Sequence, residues 1–90
     1  VSFIKLDVDG PELDVLKSGK KFLLKNKPPI FMELAPYLYP EFGYNYLDLI
    51  FFINNLGYEY YTISPLKKID NIEKFILEIN DGSSKNILIK

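Results

Sequence analysis

Carboxylates cluster near the start of the chain, where a short apolar run gives way to a glycine and a proline. Asp7, Asp9 and Glu12 follow one another closely, and Lys5 precedes Asp7 by two residues. We predict that residues 2–8 form a nearly continuous apolar strand, as strands covered on both faces do. In open α/β sheets, ligands bind outside the carboxyl ends of the strands. The pattern therefore places Asp7 and Asp9 where a ligand would bind.

The composition limits the chemistry that these residues can do. The chain has no Cys, which excludes disulfides, thiolate catalysis and Cys-type zinc sites, and no His, which excludes imidazole base catalysis and His–metal ligation. Any acid–base catalysis must then use Asp, Glu, Lys or Tyr. A net charge of −1 is not that of a nucleic-acid-binding protein. No apolar run approaches the ~18 residues that a membrane span needs, so we expect a cytoplasmic protein without membrane contact.

Lys5 and Asp7 are expected on the same face of the first strand, because side chains alternate between the two faces. Glu33 lies at the matching depth of the next predicted strand. We predict that the Lys5 ammonium lies within salt-bridge distance of Glu33 or Asp7, since an unpaired buried charge is costly. Two interpretations stay open, a structural Lys5–Glu33 pair and an ion cluster that lines a pocket.

The remaining pattern predicts an α/β sheet in the order β-α-β-α-β-α-β. Pro11 opens the first helix, and Ser18-Gly19 bends or splits it. Asn45 with Asp48, and Asp70 with Glu73, form capping patterns for two later helices. The other predicted elements are a strand at 30–34, a loop at 36–44, a helix at about 45–56, a strand at 58–63, a helix from 72 and a last strand at 86–90.

The start of the chain predicts that residues 1–90 are a single partial domain. The sequence begins at Val1 and enters the first strand at once. We expect a larger domain that has been cut just before a central strand. A bare edge on that strand would be a template for pairing with another chain, so we also expect self-association through the first strand.

Two runs of residues resemble a known family. Residues 5–12 read KLDVDGPE, and the run continues as VLKSG at 15–19. A later proline, apolar strand and glutamate occupy residues 28–33. Together these runs resemble the C-terminal half of FkbM-type methyltransferases, which use S-adenosylmethionine and have a Rossmann-like class I fold. Asp9 stands where that family usually has Glu.

The resemblance implies a mostly parallel sheet whose last strand is antiparallel and inserts between its two predecessors. It also implies that the glycine-rich loop and the acidic residue that hold S-adenosylmethionine are not in this chain. We therefore expect no cofactor-binding residue here, and the 90 residues alone should be inactive.

The resemblance further implies transfer of a methyl group to a hydroxyl of a sugar or secondary metabolite. Asp7 is the first candidate for orienting or deprotonating that hydroxyl, followed by Glu33 and Lys5. The alternative for Asp7 is a carboxylate that only caps the following helix. Asp9 is a candidate for binding the small-molecule or glycan acceptor.

Aromatic residues are dense in the loop after the second predicted strand. Tyr37 and Tyr39 could stack on a sugar ring or an apolar acceptor there. The alternative is that the loop's aromatic side chains cover a small core of their own.

Two rival functions remain. Asp7-Val8-Asp9-Gly10 also looks like the first motif of haloacid-dehalogenase-type phosphatases, in which Asp7 would be the nucleophile, Asp9 the general acid and Mg²⁺ the cofactor. That pattern expects Thr where Pro11 stands, and a later pair of acidic residues is missing. The second rival is a non-catalytic assembly module that associates through its sheet edge.

Overall fold

The computed structural model describes residues 3–7 and 9–90, and shows a mixed five-stranded sheet with helices. Residues 2 and 8 of the predicted first strand lie outside the described part. The strands are β1 (Ile4–Leu6), β2 (Ile30–Leu34), β3 (Tyr60–Thr62), β4 (Lys67–Lys68) and β5 (Lys85–Ile89). The two-residue β4 was not predicted, because it has no apolar pattern of its own.

The helices are α1 (Glu12–Ser18), α2 (Lys20–Asn26), α3 (Tyr46–Asn55) and α4 (Ile72–Leu77). Gly19 separates α1 from α2, which confirms the predicted split. The Asn45 side chain accepts from the N–H groups of Leu47 and Asp48, and the Asp48 carboxylate accepts from the Asn45 N–H. This confirms the capping pattern of α3. None of the helices described is both long and apolar enough to cross a membrane.

Two local predictions need correction. The segment Pro36–Phe42 forms a 3₁₀ helix rather than an irregular loop. Helix α4 is capped by Asn71, whose side chain accepts from the Lys74 N–H, and not by Asp70. Asn and Asp are about equally good caps, so the neighbouring backbone geometry decided between them.

The strands run in the order β1-β2-β5-β3-β4. β1 and β2 are parallel, while β2–β5, β5–β3 and β3–β4 are antiparallel. The prediction of a mostly parallel sheet is therefore wrong, because most of the strand pairs are antiparallel. The reason is that β5 lies between β2 and β3 in the opposite direction, so these two like-directed strands do not pair with each other.

The hydrophobic core lies on one face of the sheet. Leu6, Met32 and Ile87 point toward it and pack with buried helical residues such as Leu16 and Ile53. Because side chains alternate along a strand, the neighbouring residues point to the second face. Lys5, Phe31, Glu33 and Tyr61 lie there, exposed or half-buried. This second face carries the candidate site.

Candidate functional site

A cavity of about 430 Å³ lies on the second face, at the junction of β1, β2 and β5. Three charged candidates, Lys5, Asp7 and Glu33, line it. The register explains why: Lys5 pairs with Phe31, so two residues further along each strand come Asp7 and Glu33. The cavity therefore lies toward the carboxyl ends of two parallel strands. The other lining residues are Phe3, Leu6, Phe31, Met32, Ile63 and Asn86.

Three carboxylates meet beside this cavity. Asp7, Asp9 and Glu33 each have a carboxylate oxygen within 4.8 Å of the other two. Asp7 and Asp9 are exposed, and Glu33 is half-buried. Such a group can accept hydrogen bonds from a hydroxyl-rich ligand or attract a hard cation.

The predicted ion pair of Lys5 does not form. Within residues 3–7 and 9–90, the ion pair closer than 4.0 Å joins Lys68 to Glu59, at 2.6 Å. Lys5 shares the face and the cavity of Glu33, as its register requires, but its ammonium does not reach either carboxylate. The reason is exposure: a Lys side chain on an uncovered face keeps its hydration and needs no partner.

The turn that carries Asp9 has an unusual backbone. Asp9 has φ +51°, and Gly10 has φ +124°. A side chain on Gly10 would collide with the ring of Phe42. Positive φ is costly for most residues but available to glycine, and Asp is among the few others that adopt it. This geometry explains why Gly stands at residue 10.

Glu12 lies in the first turn of α1, and its side chain is buried. Its side chain is 1% exposed, and its two carboxylate oxygens accept from the Gly10 N–H at 3.2 and 3.3 Å. Burial raises the pKa of the Glu12 carboxyl above its ordinary value, against the lowering effect of its backbone hydrogen bonds. Glu12 does not line the cavity but binds the turn beside it.

The two tyrosines predicted to bind the acceptor do not reach this cavity. Tyr39 is fully buried, and its hydroxyl accepts from the Ala35 N–H. Burial strongly raises its pKa. Tyr39 is therefore a core residue, and its assignment to substrate binding is wrong. Tyr37 is exposed but lines a second cavity, beside α4.

Several site residues were missed by the sequence reasoning. Phe3 and Phe31 form an edge-to-face pair with ring centroids 5.4 Å apart, and they supply the aromatic wall of the cavity. The alternation of β2 places Phe31 on the face of Glu33 and could have identified it. Asn86 lies opposite Glu33 in the β2–β5 register, a long-range pairing that no local pattern predicts.

Comparisons with known proteins identify the family. Comparison with curated proteins and with solved structures found no match. A family model described as the methyltransferase FkbM domain matches residues 1–60, which is two thirds of the 90-residue chain. The match covers β1, β2 and the segments that carry Asp7, Asp9 and Glu33. The chain therefore belongs to the FkbM methyltransferase family.

Proposed function

We propose that the protein is an S-adenosylmethionine-dependent O-methyltransferase, and that the cavity on the second face receives the hydroxyl acceptor. The observation that carries this proposal is the meeting of Asp7 and Glu33 in one cavity wall at the carboxyl ends of β1 and β2. Family membership supports the reaction class. The acceptor class rests on the chemistry of the wall.

The sheet order supports a Rossmann-like class I fold for the complete domain. In that fold the last strand enters antiparallel between its two predecessors. β5 lies antiparallel between β2 and β3, in agreement with this arrangement. We infer that these strands correspond to the C-terminal half of such a sheet.

Asp7 is the proposed catalytic residue. Methyl transfer to oxygen needs an acceptor hydroxyl that is aimed at the methyl carbon and relieved of its proton. The exposed Asp7 carboxylate can accept a hydrogen bond from that hydroxyl and take its proton. Glu33 and Asp9, whose carboxylates are close by, can accept from neighbouring hydroxyls of the same molecule. Lys5 can donate to an acceptor oxygen from its own side of the cavity.

The cavity suits a ligand with both an apolar and a hydroxylated surface. The Phe3–Phe31 pair and Ile63 offer apolar contact area, while Asp7, Glu33 and Asn86 offer polar atoms. A pyranose ring has this dual character, because its C–H groups stack on aromatic rings and its hydroxyls bind carboxylates and amides. We therefore favour a sugar hydroxyl over an entirely apolar acceptor.

The residues that the structure describes do not fit a role in holding S-adenosylmethionine, which supplies the electrophilic methyl group when bound. The glycine nearest the cavity, Gly10, is covered by Phe42, and its N–H is taken by Glu12. It therefore does not form an open glycine-rich loop. We assign no cofactor contact to these residues.

The test is methyl transfer by the complete protein. S-adenosylmethionine carrying a labelled methyl group would be incubated with methyl glycosides of glucose, galactose and rhamnose. We expect label in at least one glycoside, and a loss of about 10²- to 10⁴-fold in kcat for Asp7→Asn, the range typical of general-base removal. Asp81→Asn, in an exposed turn away from the cavity, is the matched control and should retain full activity. A wild-type protein that labels none of the glycosides would contradict the sugar proposal.

The phosphatase alternative predicts a different result in the same variants. Asp7 as a phosphoryl nucleophile would make wild-type protein release phosphate from p-nitrophenyl phosphate with Mg²⁺, and Asp7→Asn would abolish the release. The FkbM family match favours methyl transfer, and we expect no Asp7-dependent phosphate release.

A further inference from the structure

Both backbone polar groups of Gly10 are bound by side chains from different parts of the chain. The Gly10 N–H donates to the Glu12 carboxylate, two residues further on. The Gly10 carbonyl accepts from the hydroxyl of Tyr44, 34 residues away. The turn after β1 is thus held from both sides.

The Tyr44 side chain is held in place by burial and by stacking on Tyr39, so its hydroxyl can restrain the turn at Gly10. Its side chain is 9% exposed, and its ring stacks on Tyr39 with centroids 4.9 Å apart and planes 18° from parallel. Its hydroxyl also accepts from the Leu13 N–H at 3.4 Å, one of the first N–H groups of α1 that have no partner within the helix. Tyr44 therefore links the 3₁₀ segment after β2 to the turn after β1.

The turn needs such support for two reasons. Asp9 at φ +51° occupies a backbone region that residues other than glycine visit rarely. In addition, the Asp9 carboxylate lies within 4.8 Å of those of Asp7 and Glu33, and like charges at that distance repel each other. Without external contacts the turn would relax and carry Asp9 away from the other two carboxylates.

We propose that Glu12 and Tyr44 are positioning residues for the candidate site: by binding the N–H and the C=O of Gly10, they hold the Asp9 carboxylate beside Asp7 and Glu33. The catalytic part of this inference rests on the proposed function. The structural part, that these two side chains fix the turn, is independent of it.

The first test changes one atom. Tyr44→Phe removes the hydroxyl and keeps the stacked ring. Tyr58→Phe is the matched control, because the buried Tyr58 hydroxyl also donates to a backbone carbonyl, that of Pro28, at 2.7 Å and away from the turn. We expect the amide resonances of Asp9 and Gly10 to shift in Tyr44→Phe and to stay in place in Tyr58→Phe.

The kinetic test uses whichever methyl glycoside the wild type methylates. We expect kcat/KM for that glycoside to fall about tenfold in Tyr44→Phe, with the KM for S-adenosylmethionine unchanged, because a small misplacement of a reacting group has a cost of this order. General loosening of the fold would instead affect both substrates. Glu12→Gln keeps an oxygen for the Gly10 N–H and should stay within about threefold of wild type, whereas Glu12→Leu should match Tyr44→Phe.

The outcomes separate the two proposals. If no glycoside is methylated, the proposed function fails, and the amide shifts still decide whether Tyr44 fixes the turn. Unmoved Asp9 and Gly10 resonances in Tyr44→Phe would overturn the positioning role. An equal loss of kcat/KM in Tyr58→Phe would overturn it as well.

Discussion

The hydroxyl of Ser84 donates a 2.9 Å hydrogen bond to a carboxylate oxygen of Glu33, across 51 residues of sequence. Ser84 lies just before β5, so this bond exists only because β5 pairs with β2. It restrains one of the three carboxylates at the candidate site, as Glu12 and Tyr44 restrain the turn that carries another.

Ser84→Ala should lower activity without lowering stability much. An exposed hydrogen bond contributes about 1 kcal/mol. If the Ser84 hydroxyl orients Glu33 for the acceptor, its loss should lower kcat/KM for the acceptor about three- to fivefold. Ser83→Ala is the control, since the Ser83 side chain is exposed and makes no hydrogen bond within the described residues. Equal kcat/KM values for the two variants would show that Glu33 needs no such restraint.

Gly10→Ala should be markedly destabilising. The new Cβ would combine a strained φ of +124° with a collision against the Phe42 ring. We expect the free energy of unfolding to fall by about 2–4 kcal/mol. Gly82→Ala also has a positive φ, +81°, but open space around it, and should cost only about 1 kcal/mol. Urea denaturation of both variants measures the difference, and equal losses would mean that Phe42 moves aside freely.

The stability of the protein should carry a pH dependence from Glu12. Burial raises the pKa of its carboxyl above 4.5, so the folded state holds the proton more tightly than the unfolded state. In that case the free energy of unfolding falls as the pH rises from the unfolded pKa through the folded pKa. Glu12→Gln does not titrate. We therefore expect the stability of wild type relative to Glu12→Gln to fall as the pH rises from the unfolded carboxyl's ordinary pKa of 4.5 through the higher pKa of the folded state.

Urea denaturation at several pH values measures this, with Glu59→Gln as the control. The ion pair with Lys68 lowers the pKa of Glu59, which gives the opposite sign: its contribution is lost as the pH falls. A pH-independent difference between wild type and Glu12→Gln would contradict the burial effect.

We also predict that the 90-residue chain by itself self-associates through β1, which lies at one edge of its sheet. The Ile4 N–H donates to the Pro29 carbonyl, so the alternation of the strand directs the Lys5 N–H away from β2. An edge of this kind can pair with another copy. Lys5→Pro removes both the lysine side chain and that backbone N–H. Lys5→Ala is the control, because it removes the lysine side chain but keeps the backbone N–H.

Sedimentation equilibrium at micromolar concentration distinguishes these cases. We expect wild type and Lys5→Ala to form dimers and Lys5→Pro to be monomeric. A wild-type protein that stays monomeric throughout the concentration range would refute the prediction.

Local chemistry in the sequence determined the order of the main elements and the ends of several of them. The cap of α3 by Asn45 and Asp48 could be predicted because its contacts span only three residues. The break between α1 and α2 could be predicted because it depends on Gly19 itself. Asp7 and Glu33 were also correctly placed on one face, because alternation along two parallel neighbours suffices for that.

Only the tertiary structure decided the rest, because it depends on contacts between residues distant in the chain. The insertion of β5 between β2 and β3 was expected from the family resemblance, but only the register of β5 against β2 shows that Asn86 and Ser84 come to Glu33. Tyr39 is buried in the core and does not line the cavity. Lys5 is exposed to solvent and does not form its predicted ion pair. The role of Glu12 emerged in the same way, since a carboxylate in a first helical turn shows its partner only when the preceding turn folds back onto it.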